Sequence, residues 1–143
     1  MFPVSVFDPP VLPLGREITK KGGAIAKSYQ DLVSEAMAET EQTDVQSVHD
    51  FLESGEDLTV LDVREPGEWE EAYIPQVKHL PRDLLEYQVD EQLPNKDARI
   101  VIHCASGGRC ALATKSLKEM GYTNVANMEG GINAWREKGY ETE

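Results

Sequence analysis

The chain has 143 residues, 40% of them hydrophobic and 28% charged, which suffices for one domain with a real core and is too short for two of ordinary size. This composition lies outside the low-hydrophobicity, high-charge regime of disorder. A net charge of -12 argues against nucleic acid and against an anionic membrane surface as partners, because both are bound by clustered Lys and Arg.

The charge is uneven. Residues 1–27 hold four cations (Arg16, Lys20, Lys21, Lys27) against two acids (Asp8, Glu17), leaving 10 cations against 24 acids in the remainder. An anionic substrate would need a local positive site to overcome that field. Residues 1–23 read as an irregular arm: Pro3, Pro9, Pro10 and Pro13 deny it helix and central strand, while its apolar residues suit packing on its own domain or on another chain. No basic segment leads into an unbroken apolar one, no run approaches a membrane span, and two cysteines make no secretory framework. A reducing, cytoplasmic compartment is expected.

From Ala24 to about Glu39 the apolar spacing of Ile25, Tyr29, Leu32, Val33, Ala36 and Met37 predicts a helix, serving as a packing element or a homodimer contact. Residues 1–42 thus form an appended N-terminal segment and 43–143 the main domain. In the latter, Thr43 or Asp44 can cap a helix over "VQSVHDFLES" that stops at Gly55. "LTVLDV" (58–63) and "RIVIH" (99–103) have the near-continuous aliphatic character of strands buried on both faces of a parallel sheet. Between them Pro66 starts a short acidic helix, "VKHL" (77–80) is a strand ended by Pro81, and "RDLLEY" is a short helix. "CALATKSLKEM" is a helix closed by Gly121, "NVANM" a last strand, and "GINAWREK" a last helix closed by Gly139. The expected fold is α/β: a three-layer sandwich with a mainly parallel sheet and helices on both faces.

Ligands of such sheets sit beyond the carboxyl ends of the strands. Two ends carry reactive-looking residues: Asp62, Arg64 and Glu65 after the first buried strand, and "HCASGGRC" after the second. In the latter, small residues and two glycines let backbone N–H groups turn inward, and the following helix aims its positive end at the same point. A cysteine there favours its thiolate, so Cys104 is the candidate nucleophile and Ala105, Ser106, Gly107, Gly108 and Arg109 the candidate binding residues. Cys110 reads as a core residue. Two cysteines six apart without paired histidines make no zinc set, and no other metal or cofactor is implied. His103 reads as a strand residue that helps set the loop, His49 as a helix-surface group and His79 as a strand residue.

The stretch 43–140 resembles the rhodanese family of sulfurtransferases in its single-domain form. "LDVREPGEWEEAYIPQVKHLP" is similar to the family's Asp-Val-Arg-Glu segment and the elements that follow it, "VIHCASGGR" to its active-site strand and loop, and "NMEGGINAWREKGY" to its C-terminal Gly-Gly-x-x-x-Trp signature. Ala72-Tyr73 and Gln76-Val77 depart from the usual Gly-His and Gly-Ala. The resemblance implies that Cys104 attacks a sulfane donor such as thiosulfate, becomes a persulfide, and passes the sulfur to cyanide or a thiol. It implies N–H stabilisation of the transferred sulfur by residues 105–109, attraction of the anionic donor by Arg109, and a bracing role for Asp62 and Arg64. Cysteine-dependent phosphatases and arsenate reductases related to this fold carry five residues between cysteine and arginine; here there are four, a cradle better suited to one sulfur atom than to phosphate. A non-catalytic binding module is a third reading, which the retained Cys104 disfavours.

Overall fold

The computed structural model describes residues 26–143, so the expected arm over 1–23 and the start of the expected helix at 24–25 lie outside the described residues. The first described helix is α1 (Tyr29–Glu39), opened by a capping box in which the Ser28 hydroxyl accepts from Asp31 N (3.1 Å) and the Asp31 carboxylate accepts from Ser28 N (2.9 Å). There follow β1 (Glu41–Thr43), α2 (Val45–Ser54), β2 (Thr59–Asp62), α3 (Pro66–Glu71), β3 (Lys78–His79), a 3-10 turn (Arg82–Leu84), α4 (Leu85–Gln92), β4 (Ile100–His103), α5 (Gly108–Glu119), β5 (Val125–Met128) and α6 (Gly131–Glu137). Asp44 caps α2 by accepting from Ser47 N at 2.8 Å, and Gly55 ends that helix in the left-handed region (φ 76°).

The five strands form one all-parallel sheet in the order β1-β5-β4-β2-β3. The two aliphatic runs are its centre, with Asp62 opposite His103 in register, so both chemically rich strand ends emerge side by side at one edge. Alternation along these strands divides the core in two. Leu61, Val63, Ile100 and Ile102 pack with Leu85, Val89, Ala113 and Leu117 from α4 and α5, while Val60 and Val101 pack with Val45, Val48, Ile132 and Trp135 from α2 and α6. Helices therefore cover both faces, the three-layer arrangement expected of a parallel sheet.

Three differences from the sequence reading have physical causes. β1 is a strand of Glu, Gln and Thr, with no apolar period to betray it, because it occupies a sheet edge and is held by pairing with β5 and by Asn127 Nδ2 donating to Gln42 Oε1 at 2.8 Å. The helix expected over "RDLLEY" divides into a 3-10 turn and α4, which runs on to Gln92 because Leu85 and Val89, four apart, are the only buried residues it needs to dock. α5 starts at Gly108, two residues before the expected start, which shortens the loop and puts Arg109 and Cys110 in the first helical turn. On the outer side α1 packs against α5, so the segment ahead of the expected boundary is joined to the domain through both α1 and β1.

Candidate active site

The turn from β4 to α5 holds Cys104, whose side chain is buried in the core cluster and only 1% exposed. Gly107 makes the turn at φ 124°, a conformation that side-chain-bearing residues avoid, and its N–H donates to Cys104 Sγ at 3.2 Å. The sulfur thus sits under the first turn of a twelve-residue helix, against the N–H groups that helix geometry leaves without internal partners.

Cys110 comes down from that first turn, fully buried as a core residue would be, with its Sγ 3.4 Å from Cys104 Sγ. Its single proton has two acceptors in reach, Cys104 and the Gly107 carbonyl at 3.2 Å, and an ionised Cys104 is the stronger of the two. Donation from the Cys110 thiol, aided by the N–H groups of Cys110, Gly107 and Ser106 and opposed by burial, lowers the Cys104 pKa to about 6. The same contact, with burial, pushes the Cys110 thiol far up, so the contact favours ionisation of Cys104 with Cys110 as the donor.

The loop is fixed from below by α6. Ile132 N donates to the Cys104 carbonyl (2.9 Å) and Asn133 N to the Ala105 carbonyl (3.1 Å). This approach requires glycine at 131: its φ is 57°, and a Cβ there would overlap the Cys104 and Ala105 carbonyls. The Gly-Gly pair of the sequence is therefore part of the site, a role that spacing alone does not disclose. On the solvent side the Tyr29 side chain from α1 lies over Gly108, leaving no room for a Cβ.

Arg109 does not point freely into the loop. Its two terminal nitrogens donate to the two carboxylate oxygens of Glu68 at 2.8 and 3.0 Å, which lowers the Glu68 pKa to about 2. Glu68 also accepts from Glu65 N at 3.0 Å, closing the cap of α3. Sequence reasoning missed Glu68; the signal was the Glu-x-x-Glu spacing of a capping box, Glu65 to Glu68, that encloses Pro66.

Asp62 and Arg64 are both buried and joined to each other. Arg64 Nε donates to both Asp62 oxygens at 3.0 Å and Nη2 to Oδ2 at 2.8 Å. Nη2 also donates to the Ala72 carbonyl at 2.8 Å, so the pair anchors the C-terminal end of α3. Their link to the Cys104 loop is indirect: Arg64 holds the helix that presents Glu68 to Arg109, and Asp62 lies beside His103. The His103 ring is fully buried and its Nδ1 is 3.2 Å from the Cys104 carbonyl, where it donates; Nε2 is 3.7 Å from Asp62 Oδ2 and unpartnered. Burial lowers the His103 pKa, which keeps the ring neutral. His79, at the end of β3, stacks on Trp69 and bonds the Arg64 carbonyl through Nε2 at 2.8 Å, and His49 stacks on Tyr140.

A cleft of about 520 Å³ opens beside the loop, lined by Val63, Glu65, Pro66, Arg82, Asp83, Glu86 and Arg109. Its charges are mixed, with Arg82 held by Glu86 at 2.7 and 2.8 Å. The positive field at Cys104 therefore comes from backbone N–H groups and the α5 terminus more than from side chains.

Comparison with known proteins agrees with this geometry. Residues 44–138 match the rhodanese-like domain family. A sulfurtransferase of Allochromatium vinosum is 37% identical over 98 residues, covering 68% of this chain and 90% of the relative. A Rhodopseudomonas palustris structure described as a protein of unknown function and possible tyrosine phosphatase superposes with a TM-score of 0.76 at 33% identity, covering 84% of this chain and 97% of that one. The thiosulfate sulfurtransferase of Pseudomonas aeruginosa superposes with a TM-score of 0.71 at 26% identity, over 78% of this chain and 22% of that longer one. With the family match spanning β2 to β5, the Cys104 loop and the α6 clamp, the chain belongs to the rhodanese-like domain family.

Proposed function

We propose that the chain is a sulfurtransferase that moves a sulfane sulfur from thiosulfate or a similar anionic donor to a thiol or cyanide through a persulfide on Cys104. Rhodanese-type sulfur transfer is supported by the sulfurtransferase relatives, and the observation that carries the finer reading is the Cys104 sulfur under the α5 terminus, with Gly107 N and the Cys110 sulfur at 3.2 and 3.4 Å from it, contacts that favour its thiolate. The thiolate attacks the outer sulfur of the donor; the donor S–S bond breaks and sulfite leaves with the electron pair. The outer sulfur of the new persulfide carries the negative charge, which the inward N–H groups of the loop stabilise. An acceptor thiolate or cyanide then takes that sulfur and restores the Cys104 thiolate. No cofactor is needed for these steps.

Phosphoryl transfer, suggested by one structural neighbour, fits the loop less well. A tetrahedral oxyanion wants an arginine fork turned into the cradle, and both terminal nitrogens of Arg109 are occupied by Glu68. Incubation with thiosulfate followed by intact-protein mass measurement tests the choice. One sulfur per chain taken from thiosulfate, read as a one-sulfur gain at Cys104 or as its release as hydrosulfide, and absent in Cys104→Ser, is expected. Hydrolysis of an aryl phosphate without any sulfur uptake would overturn the sulfurtransferase reading.

A further inference from the structure

Cys110 is the one reactive side chain at the site that this transfer cycle does not consume. Its sulfur stands 3.4 Å from the sulfur that becomes the inner atom of the persulfide, within the separation from which bonds form, whereas an external acceptor must first enter through the mouth of the loop. Both sulfurs are buried and in mutual contact. Both cysteines are free in this structure.

We propose that Cys110 is a resolving cysteine: in the absence of an acceptor its sulfur attacks Cys104 Sγ of the persulfide, forming a Cys104–Cys110 disulfide and expelling the outer sulfur as hydrosulfide. The inference rests on the persulfide reading above. The step balances internally. Once the charge of Cys104 has passed to the outer sulfur, that sulfur takes the Cys110 proton and the resulting Cys110 thiolate attacks: the Cys110 S–H and persulfide S–S bonds break, the Cys104–Cys110 bond forms, and hydrosulfide leaves with its sulfur reduced from sulfane to sulfide while two protein thiol sulfurs reach the disulfide level. With thiosulfate as donor one passage converts thiosulfate and the dithiol into sulfite, hydrosulfide and the disulfide; an added dithiol such as dithiothreitol resets the protein. The site thereby gains a second activity, release of sulfide from a sulfane donor, and a brake, since the disulfide form lacks the nucleophile.

Geometry favours this route over passage of the outer sulfur to Cys110. The contact is with Cys104 Sγ itself, while the outer sulfur would lie one S–S bond, about 2 Å, farther along the cradle. The ring closed by the disulfide spans seven residues and adds little to stability, as suits a bond that must be reduced again.

The test is a single turnover of the fully reduced chain with thiosulfate, without oxygen or acceptor, reading sulfide released, intact mass and the state of both cysteine peptides. Wild type is expected to release one hydrosulfide per chain and to finish two hydrogens lighter than the reduced protein, with residues 104 and 110 cross-linked. Cys110→Ser should form the persulfide, hold the one-sulfur gain and release no sulfide; Cys110→Ala, which removes the donor altogether, should likewise release none. Wild type that keeps the one-sulfur gain without sulfide, a sulfur found on Cys110, or equal sulfide release from either variant would overturn the resolving role while leaving sulfur transfer intact. If neither wild type nor Cys110→Ser takes up sulfur or releases sulfide, the sulfurtransferase reading fails and the resolving step, left without a substrate, fails with it.

Discussion

Two strand-to-helix turns stand side by side at the carboxyl edge of the sheet and are built from opposite materials. The β2–α3 turn is held by side-chain charge: Asp62 with Arg64, Arg64 with the carbonyls of α3, Glu68 with the α3 cap and Arg109. The β4–α5 turn is held by backbone: Gly107 and the α6 N–H groups arrange the peptide planes, and among the described residues the one side chain meeting Cys104 Sγ by hydrogen bond is the Cys110 thiol. Charges that satisfy one another are set for good and leave nothing to react; N–H dipoles and one thiol proton converging on a single sulfur can accept a change of charge during a reaction. The first turn is set by paired charges, and the second is the one the proposed function makes reactive.

Breaking the bracing turn should cost the most stability. Asp62→Ala leaves the Arg64 guanidinium buried beside no carboxylate, and removing one member of a buried pair costs about 3–5 kcal/mol, to be read as a lower urea midpoint. An unchanged midpoint would mean that water reaches Arg64. Gly131→Ala attacks the reacting turn through its backbone. A left-handed alanine whose Cβ overlaps the Cys104 and Ala105 carbonyls should lose about 2 kcal/mol and slow persulfide formation together, since stability and loop position share the same contact. Loss of one without the other would separate them.

A subtler change sharpens the comparison by removing only the sulfur donor. Cys104 alkylation should reach half its limiting rate near pH 6 and fall below it, because only the thiolate is nucleophilic and protons compete for it as the pH drops. In Cys110→Ala that half-point should move upward; if it stays in place, the N–H groups alone hold the thiolate. The smallest effect belongs to Glu68→Gln. The Glu68–Arg109 pair is about one-third exposed on each side, so its loss should cost under about 1 kcal/mol at neutral pH. Because the Glu68 pKa is depressed, the pair's contribution is present above the ordinary carboxylate range and fades as the pH falls through about 2, where mutant and wild type should converge.

Much of the fold was legible because burial writes itself into composition. The two aliphatic runs became β2 and β4 since only strands covered on both faces can bury every residue, and Asp44, Gly55 and Pro66 marked helix ends by their own backbone preferences. β1 escaped because an edge strand needs no apolar face, and the length of α4 escaped because two buried residues, Leu85 and Val89, dock it. At the site, the glycines and the helix start that surround Cys104 could be read from adjacency in the chain.

What adjacency could not supply are the contacts made across the chain. Glu68 reaches Arg109 over 41 residues, the α6 N–H groups reach the Cys104 loop over about 28, and Tyr29 reaches Gly108 from a helix ahead of the family match. Even the six-residue separation of the two cysteines did not say that their sulfurs touch, since that depends on where α5 begins. The sequence by itself determined the parallel α/β sheet and the placing of Cys104, with four residues between it and Arg109, at a strand-to-helix turn, because local propensity and burial depend on near neighbours. Only the tertiary structure decided which charges neutralise Arg109, which glycine admits the clamp, and which thiol faces the nucleophile, because hydrogen bonds act over about 3 Å and the order of residues carries no such distance.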